Sequence, residues 1–145
     1  MMFSKACEYG IRATIYIAGQ SSRSRRVSLK DIAREIDSPE AFTAKILQLL
    51  ARNHIIDSIK GPSGGFQIDP DNMDKIKLIH VVTAIDGDAI FNACGLGLKE
   101  CSASQPCPVH DKFKVIRDEL RKMLEGTSLS ELSLAQTEGL TFLKR

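Results

Sequence analysis

The sequence predicts a mostly α-helical chain with one small β-hairpin, an α+β fold, and three observations carry that prediction. Two segments with helical spacing of apolar residues, 28–36 and 39–53, meet at the polar turn DSP. Two short apolar runs, joined by GPSGG, follow directly. Residues 108–126 form a further helical pattern, in which apolar residues recur in alternating steps of four and three.

Composition and charge set the broad class. With 145 residues, 43% apolar and 26% charged, the chain suits one globular domain, or one small domain with an appendage. Lys5 follows the start closely and no apolar run approaches membrane length, so we expect a cytoplasmic protein without a membrane partner. Residues 1–62 carry ten Lys and Arg against six Asp and Glu, and 63–145 carry ten against twelve. The basic front half indicates a polyanionic partner.

Residues 1–72 have the element order of a winged helix-turn-helix. Apolar residues spaced three or four apart from Phe3 to Ala18 predict the first helix. Ser28 suits the N-cap of the second helix, and Pro39 suits the first position of the third. Helix, tight turn and helix make a helix-turn-helix, and the hairpin predicted over 54–69 would be its wing.

The back half, residues 73–145, is predicted to begin with a helix over 74–87 that ends at Gly87. A cysteine-containing loop (88–107), a dimerisation helix (108–126) and a short helical cap follow. The dimerisation helix carries a seam at a and d spacing, which would join two copies as a homodimer or pack on the rest of the chain. The seam consists of Val109, Phe113, Ile116, Leu120 and Met123.

A winged helix binds a double-stranded DNA operator by placing the second helix of the pair in the major groove, with the wing on the backbone or in the minor groove. Base edges would be read by polar tips and methyl groups, and basic side chains would contact phosphates. The predicted base-reading residues are Ser38, Glu40, Ala41, Thr43 and Lys45. The predicted phosphate contacts are Arg23, Arg25, Arg26, Lys30, Arg52 and Lys60, and Ser28 and Ser63 complete the DNA-binding set.

Three of the four cysteines lie in one polar loop, at Cys94, Cys101 and Cys107, and His110 follows. A structural zinc site usually uses paired C-x₂-C ligands, which this spacing lacks. A nucleophilic Cys107 would need His110 as its base, and no oxyanion feature is visible. Long gaps with glycines and serines fit an iron–sulfur cluster better. If Pro108 opens the last helix, Cys107 is its N-cap, where the helix dipole favours a thiolate.

Four motifs together resemble the Rrf2-type family of bacterial regulators: FSKACEYGIRA, SLKDIAREI, GPSGGF and C-x₆-C-x₅-C. The resemblance implies a homodimeric winged-helix transcription factor, not an enzyme. It implies that Cys94, Cys101 and Cys107 hold a two-iron or four-iron cluster that senses redox state, nitric oxide or iron–sulfur supply and controls DNA affinity. Either His110 or Glu8 of the partner's first helix would be the fourth ligand, and Glu8 is the preferred expectation. The chain departs from the family pattern at His54, where glycine is usual.

Two other functions stay open at this level. A regulator of the same fold would keep the thiols without a cluster and respond to thiol oxidation or to a small-molecule or protein ligand. A small cysteine-dependent enzyme or cluster carrier is the third reading. Cys7 lies apart from the loop, on the apolar stripe of the first helix, and is expected to be a small buried hydrophobe.

Overall fold

The computed structural model describes residues 2–145. Within that range the chain forms seven α-helices and one two-stranded antiparallel sheet, which confirms the predicted mostly helical fold with a small hairpin. A 3₁₀ turn, Pro70–Asn72, separates the sheet from the fourth helix. In chain order the elements are α1 (Lys5–Ser21), α2 (Leu29–Glu35), α3 (Glu40–Arg52), β1 (Asp57–Ile59), β2 (Gly65–Gln67), α4 (Leu78–Asp86), α5 (Ala89–Asn92), α6 (His110–Gly126) and α7 (Leu129–Thr137).

The helix-turn-helix pair is α2 and α3. The Ser28 hydroxyl accepts a hydrogen bond from the Asp31 amide at 3.2 Å, which makes Ser28 the N-cap of α2 as predicted. The turn between the helices places Asp37 in the left-handed region at φ 52°. Pro39 is the N-cap of α3 rather than its first residue. This one-position difference arises because Pro39 has an extended backbone, with ψ 132°.

The wing is the β1–β2 hairpin, whose strands pair antiparallel in the register Asp57↔Gln67 and Ile59↔Gly65. Its strands are three residues each, shorter than the predicted apolar runs. Val27 adds a bridge to Phe66 on the other edge of β2. At Gly65 the backbone has φ +141°, and a Cβ built there would lie 2.7 Å from the Val27 oxygen, so this close approach requires glycine.

Two apolar clusters hold the fold together, and α1 contributes to both. The larger cluster joins α1, α2, α3 and the hairpin around Ile17, Ile32 and Leu47, all fully buried. The second joins α1, α4, α5 and α6 around Cys7, Val82 and other side chains. The helix α7 also packs along α1. The wing and the cysteine-bearing segment are therefore both connected to one central helix.

The structure differs from the sequence prediction at several boundaries. Helix α4 begins at Leu78, because Lys77 is engaged in a bridge with Ser128. Residues 89–92, predicted as loop, form α5. Helix α6 begins at His110 with Val109 as its N-cap, so the prediction that Cys107 is the N-cap is wrong. None of the helices in residues 2–145 is long and apolar enough to cross a bilayer.

Candidate nucleic-acid interface and cysteine site

One face of α3 is open to solvent and carries polar and small side chains. Glu40, Ala41 and Lys45 of the predicted set lie on this face, and each is exposed. The face continues through Gln48 and Arg52, which are also exposed. Gln48 is absent from the predicted base-reading residues, which end at Lys45 in the first turns of the helix. The spacing 41, 45, 48 and 52 is the helical signal that identifies it.

Thr43 does not belong to this face. Its side chain is fully buried, and its hydroxyl donates to the Pro39 carbonyl at 2.7 Å. The Ser38 hydroxyl lies against the Thr43 hydroxyl, so Ser38 is engaged inside the turn. The prediction that Thr43 reads bases is therefore wrong, because a buried hydroxyl in the first turn of α3 cannot reach a groove. The hydroxyl pair instead fixes the start of α3.

The predicted phosphate-contacting residues are all exposed, but they differ in the hydrogen-bond partners of their side chains. Arg25, Lys30 and Lys60 are exposed around the helix-turn-helix and the wing. Arg26 donates from Nε to Gln67 Oε1 at 2.8 Å and from Nη1 to the Ser63 carbonyl at 3.0 Å. Arg26 and Ser63 are thus brought together, and Arg26 fastens the loop after α1 to the wing.

Arg23 and Ser28 have other partners in the structure. Arg23 donates from Nη2 to the Thr137 carbonyl at 3.1 Å, at the carboxyl end of α7. The Ser28 side chain is used as the N-cap of α2. The prediction of a phosphate contact by Arg23 does not agree with this geometry, because the guanidinium is directed to α7 and not to the wing.

The cysteine site begins at Cys94, directly after α5. Cys94 is buried, and the Leu96 amide donates to its Sγ at 3.4 Å. Backbone N–H groups of Leu96 and Leu98, the Cys107 side chain and the Gly97 amide lower the pKa of Cys94. Cys94 and Cys107 are therefore neighbours, and the chain folds its amides around a sulfur that favours the thiolate.

Cys101 meets two groups from α6. His110 places Nδ1 at 3.4 Å from the Cys101 sulfur, and His110 is itself buried. Arg117 donates from Nη2 to the same sulfur at 3.0 Å and from Nη1 to the Ala93 carbonyl at 2.6 Å. Among the described residues, Arg117 Nε is buried without a hydrogen-bond partner.

The residues present suit an iron–sulfur cluster in their chemistry. Three thiols are soft ligands, an imidazole also suits iron, and N–H donors to sulfur are the groups that stabilise such a cluster. The Nε–H group of Arg117, which is buried without a partner among the described residues, would be able to donate a hydrogen bond to a cluster sulfur. In the part of the chain that is described, the side chains do not converge into a group of three or more metal ligands. Cys94 with Cys107, and Cys101 with His110, form two neighbouring pairs instead.

Glu8 lies on α1 and is not brought to the cysteine loop within one subunit. Its side chain is 32% exposed and pairs with Lys5 Nζ at 3.6 Å. Cys7, the residue before it, is fully buried in the second apolar cluster, where the sequence analysis expected it. Desolvation, with Asp86 and Glu8 as negative neighbours, raises the pKa of Cys7 to about 12. Cys7 is therefore a packing residue at neutral pH.

The predicted seam on α6 is uncovered within a single subunit. Ile116 is 64% exposed, Met123 49% and Phe113 37%. Val109 and Leu120 are half-buried. Aliphatic and aromatic side chains on one exposed stripe are typical of a surface that meets a partner. The stripe lies on the same helix as His110 and Arg117.

Comparison with known proteins identifies the group to which this architecture belongs. A family model described as Rrf2, iron-dependent transcriptional regulator, matches residues 3–134. The chain belongs to the Rrf2 family. It is 32% identical over 135 residues to a putative HTH-type transcriptional regulator of Aquifex aeolicus, with 91% of each chain covered.

Two solved structures show the same fold as this Rrf2 protein. CymR, the global cysteine regulator of B. subtilis, superposes with a TM-score of 0.74 at 21% identity, covering 91% of this chain and 95% of that one. T. potens IscR superposes with a TM-score of 0.72 at 19% identity, covering 95% and 90%. The protein is thus a transcriptional regulator of the Rrf2 family and not an enzyme, as the sequence analysis predicted.

Proposed function

We propose that this Rrf2 regulator is a homodimer that binds a specific DNA operator, and that a labile iron–sulfur cluster controls its affinity for that operator. The observation that carries the proposal is that two ligand pairs lie between α5 and the first turn of α6, Cys94 beside Cys107 and Cys101 beside His110, with Arg117 on the Cys101 sulfur. The uncovered seam on α6 supports the dimer. The exposed face of α3 and the wing fastened by Arg26 support DNA binding.

Three cysteines would hold the cluster, and two residues compete for the fourth position. Cys94 offers a sulfur that already accepts backbone N–H bonds. His110 is in contact with Cys101 and needs no second subunit. Glu8 would have to come from the partner's α1, and as a hard ligand it would hold its iron more exchangeably. The cluster itself would supply a centre that reacts with oxidants or nitric oxide.

A change at the cysteine site would alter operator affinity through the geometry of the dimer. His110 and Arg117, which contact Cys101, lie on α6, the same helix that carries the seam, so the cysteine loop and the dimer contact are connected through one rigid element. The separation of two wings on two half-sites depends on how the two copies of α6 meet. Gain or loss of the cluster would therefore change operator affinity by altering the dimer geometry.

The deciding experiment is anaerobic isolation followed by iron and sulfide analysis and operator binding in the loaded and cluster-free states. We expect iron and sulfide in the wild type and different operator affinities in the two states. Alanine at Cys94, Cys101 or Cys107 should abolish the cluster. Cys7→Ala is the matched control, since it removes a thiol outside the loop and should keep the cluster. Wild-type protein without iron and sulfide would refute the cluster.

The fourth ligand is decided by two further variants. His110→Ala and Glu8→Ala should be loaded in parallel and compared by absorption and electron paramagnetic resonance spectra. If Glu8 is the ligand, the Glu8→Ala spectrum changes and the His110→Ala spectrum is retained. The reverse pattern assigns the position to His110 and contradicts the expectation drawn from the sequence.

A second candidate function is favoured by the Cys94–Cys107 pair. Cys107 is a neighbour of Cys94 and helps to lower the pKa of that thiol, which is an arrangement suited to disulfide formation. Two thiols would lose two protons and two electrons to an oxidant such as a peroxide, which becomes water as the S–S bond forms. In that case purified protein is colourless, peptide mapping after oxidation finds the 94–107 disulfide, and operator affinity follows the disulfide.

A further inference from the structure

We propose that Arg117 is a positioning residue that holds the cysteine segment against the dimer helix and sets the reduction potential of the bound cluster. The inference rests on the proposed function and extends it to a residue outside the ligand set. Arg117 donates to the Ala93 carbonyl at 2.6 Å and to the Cys101 sulfur at 3.0 Å. One side chain of α6 therefore spans both ends of the segment from Ala93 to Cys101.

The guanidinium is incompletely paired in the structure. Its Nε is buried without a partner among the described residues, and an unpaired buried donor of a charged group is unfavourable. Sulfide or thiolate sulfur of a cluster would be an acceptor of the required charge. Hydrogen bonds to sulfur and nearby positive charge favour the more negative, reduced state of a cluster. Arg117 should therefore raise the reduction potential.

The same segment touches the seam. A Cβ built at Gly95 would lie 2.6 Å from the Phe113 ring, so the Gly95 backbone packs directly on that ring. Phe113 belongs to the proposed dimer contact, and Ile116, the next seam residue, adjoins Arg117 in sequence. A change in the hydrogen bonds of Arg117 with cluster state would therefore be transmitted through the Ala93–Cys101 segment to Phe113, a side chain that would contact the partner subunit.

Arg121 offers a matched control one turn further along α6. Its Nη2 donates to Asn92 Oδ1 at 3.2 Å, and its guanidinium carbon lies 5.0 Å from the centre of the Phe91 ring. Arg121→Gln removes the same charge from the same helix without touching a hydrogen bond to the cysteine segment. A difference between the two glutamine variants therefore reports the contact and not the charge.

The experiment compares wild type with Arg117→Gln, Arg117→Lys and Arg121→Gln, each loaded anaerobically with ferrous iron and sulfide. The readouts are the midpoint potential of the cluster and the deuterium uptake of residues 93–107, the latter also in cluster-free protein. Arg117→Gln should shift the potential to a more negative value and increase uptake. Arg117→Lys, which keeps the charge but not the two-pronged donor, should shift the potential less. Arg121→Gln should leave uptake unchanged and shift the potential much less than Arg117→Gln.

Several results would overturn the inference. A wild-type potential and unchanged uptake in Arg117→Gln would show that the contact has no role. An equal shift in Arg121→Gln would assign the effect to charge alone. If Arg117→Gln does not fold, Arg117→Lys decides, since wild-type values there would also refute the contact. If wild type binds no iron and sulfide, the proposed cluster and the effect of Arg117 on its reduction potential are both refuted. Deuterium uptake in cluster-free protein still decides whether Arg117 holds the segment from Ala93 to Cys101.

Discussion

Replacement of Ile116 by glutamate should dissociate the proposed dimer without unfolding the subunit. Ile116 is 64% exposed in one subunit, so most of its apolar surface is available for burial against a partner. Burying a whole isoleucine side chain contributes about 1.5–3 kcal/mol, so the exposed portion amounts to about 1–2 kcal/mol per copy. A twofold dimer loses this contribution twice. Two carboxylates facing an apolar seam add a desolvation cost of about several kcal/mol.

The combined loss of at least about 4 kcal/mol corresponds to roughly a thousandfold weaker dimer. Sedimentation velocity over a range of concentrations measures this, and operator binding should fall with it because two half-sites need two wings. Val115→Glu is the matched control, since Val115 is 63% exposed on the same helix but lies off the seam. A stable Ile116→Glu dimer, or equal dissociation of Val115→Glu, would show that the interface is elsewhere.

Four further predictions concern DNA, stability and thiol chemistry. Arg25→Ala should reduce the slope of log affinity against log salt by about 0.9 for every DNA sequence; an unchanged slope would remove Arg25 from the phosphate contacts. Gln48→Ala should change sequence preference by about 1–3 kcal/mol at one base position, measured by binding to a set of single-base operator variants; an unchanged preference at every position would remove Gln48 from the base contacts. His54→Gly should raise the unfolding free energy in urea by about 1 kcal/mol, because His54, the residue after the C-cap Asn53 of α3, has φ 60°, where glycine is unstrained; a lower value would show that the imidazole makes a compensating contact. Cys7 should resist iodoacetamide in folded, cluster-free protein near neutral pH, since its pKa is raised to about 12; mass spectrometry of labelled peptides measures this, and ready labelling of Cys7 would contradict its burial. The stability that the buried Cys7 thiol contributes should be present below pH about 9 and lost as pH rises toward the pKa in the folded state, which urea unfolding at a series of pH values measures.

The sequence by itself determined the local structure and the type of protein. Helical spacing, the Ser28 cap and the GPSGG turn depend only on residues that are close in the sequence. They therefore predicted α2, α3 and the wing. His54 is an instructive case. The resemblance to the Rrf2 family marked it as a departure from the usual glycine, and the structure supplies the reason for that glycine, a closing turn in which the His54 and Ile55 amides bond back to Ala51 and Leu50.

Tertiary structure decided which side chains are available and which groups meet. Periodicity could place Thr43 near the start of α3, but only the packed turn shows that it is fully buried. In the sequence Arg23 does not differ from the other basic residues near it. Only the structure shows that its guanidinium donates to the Thr137 carbonyl of α7, more than a hundred residues later. The cysteine loop was evident in sequence, but Arg117 was not, because its bond to Cys101 joins residues sixteen apart through the fold of an irregular loop. Contacts of that kind depend on the three-dimensional path of the chain and leave no periodic signal in the sequence.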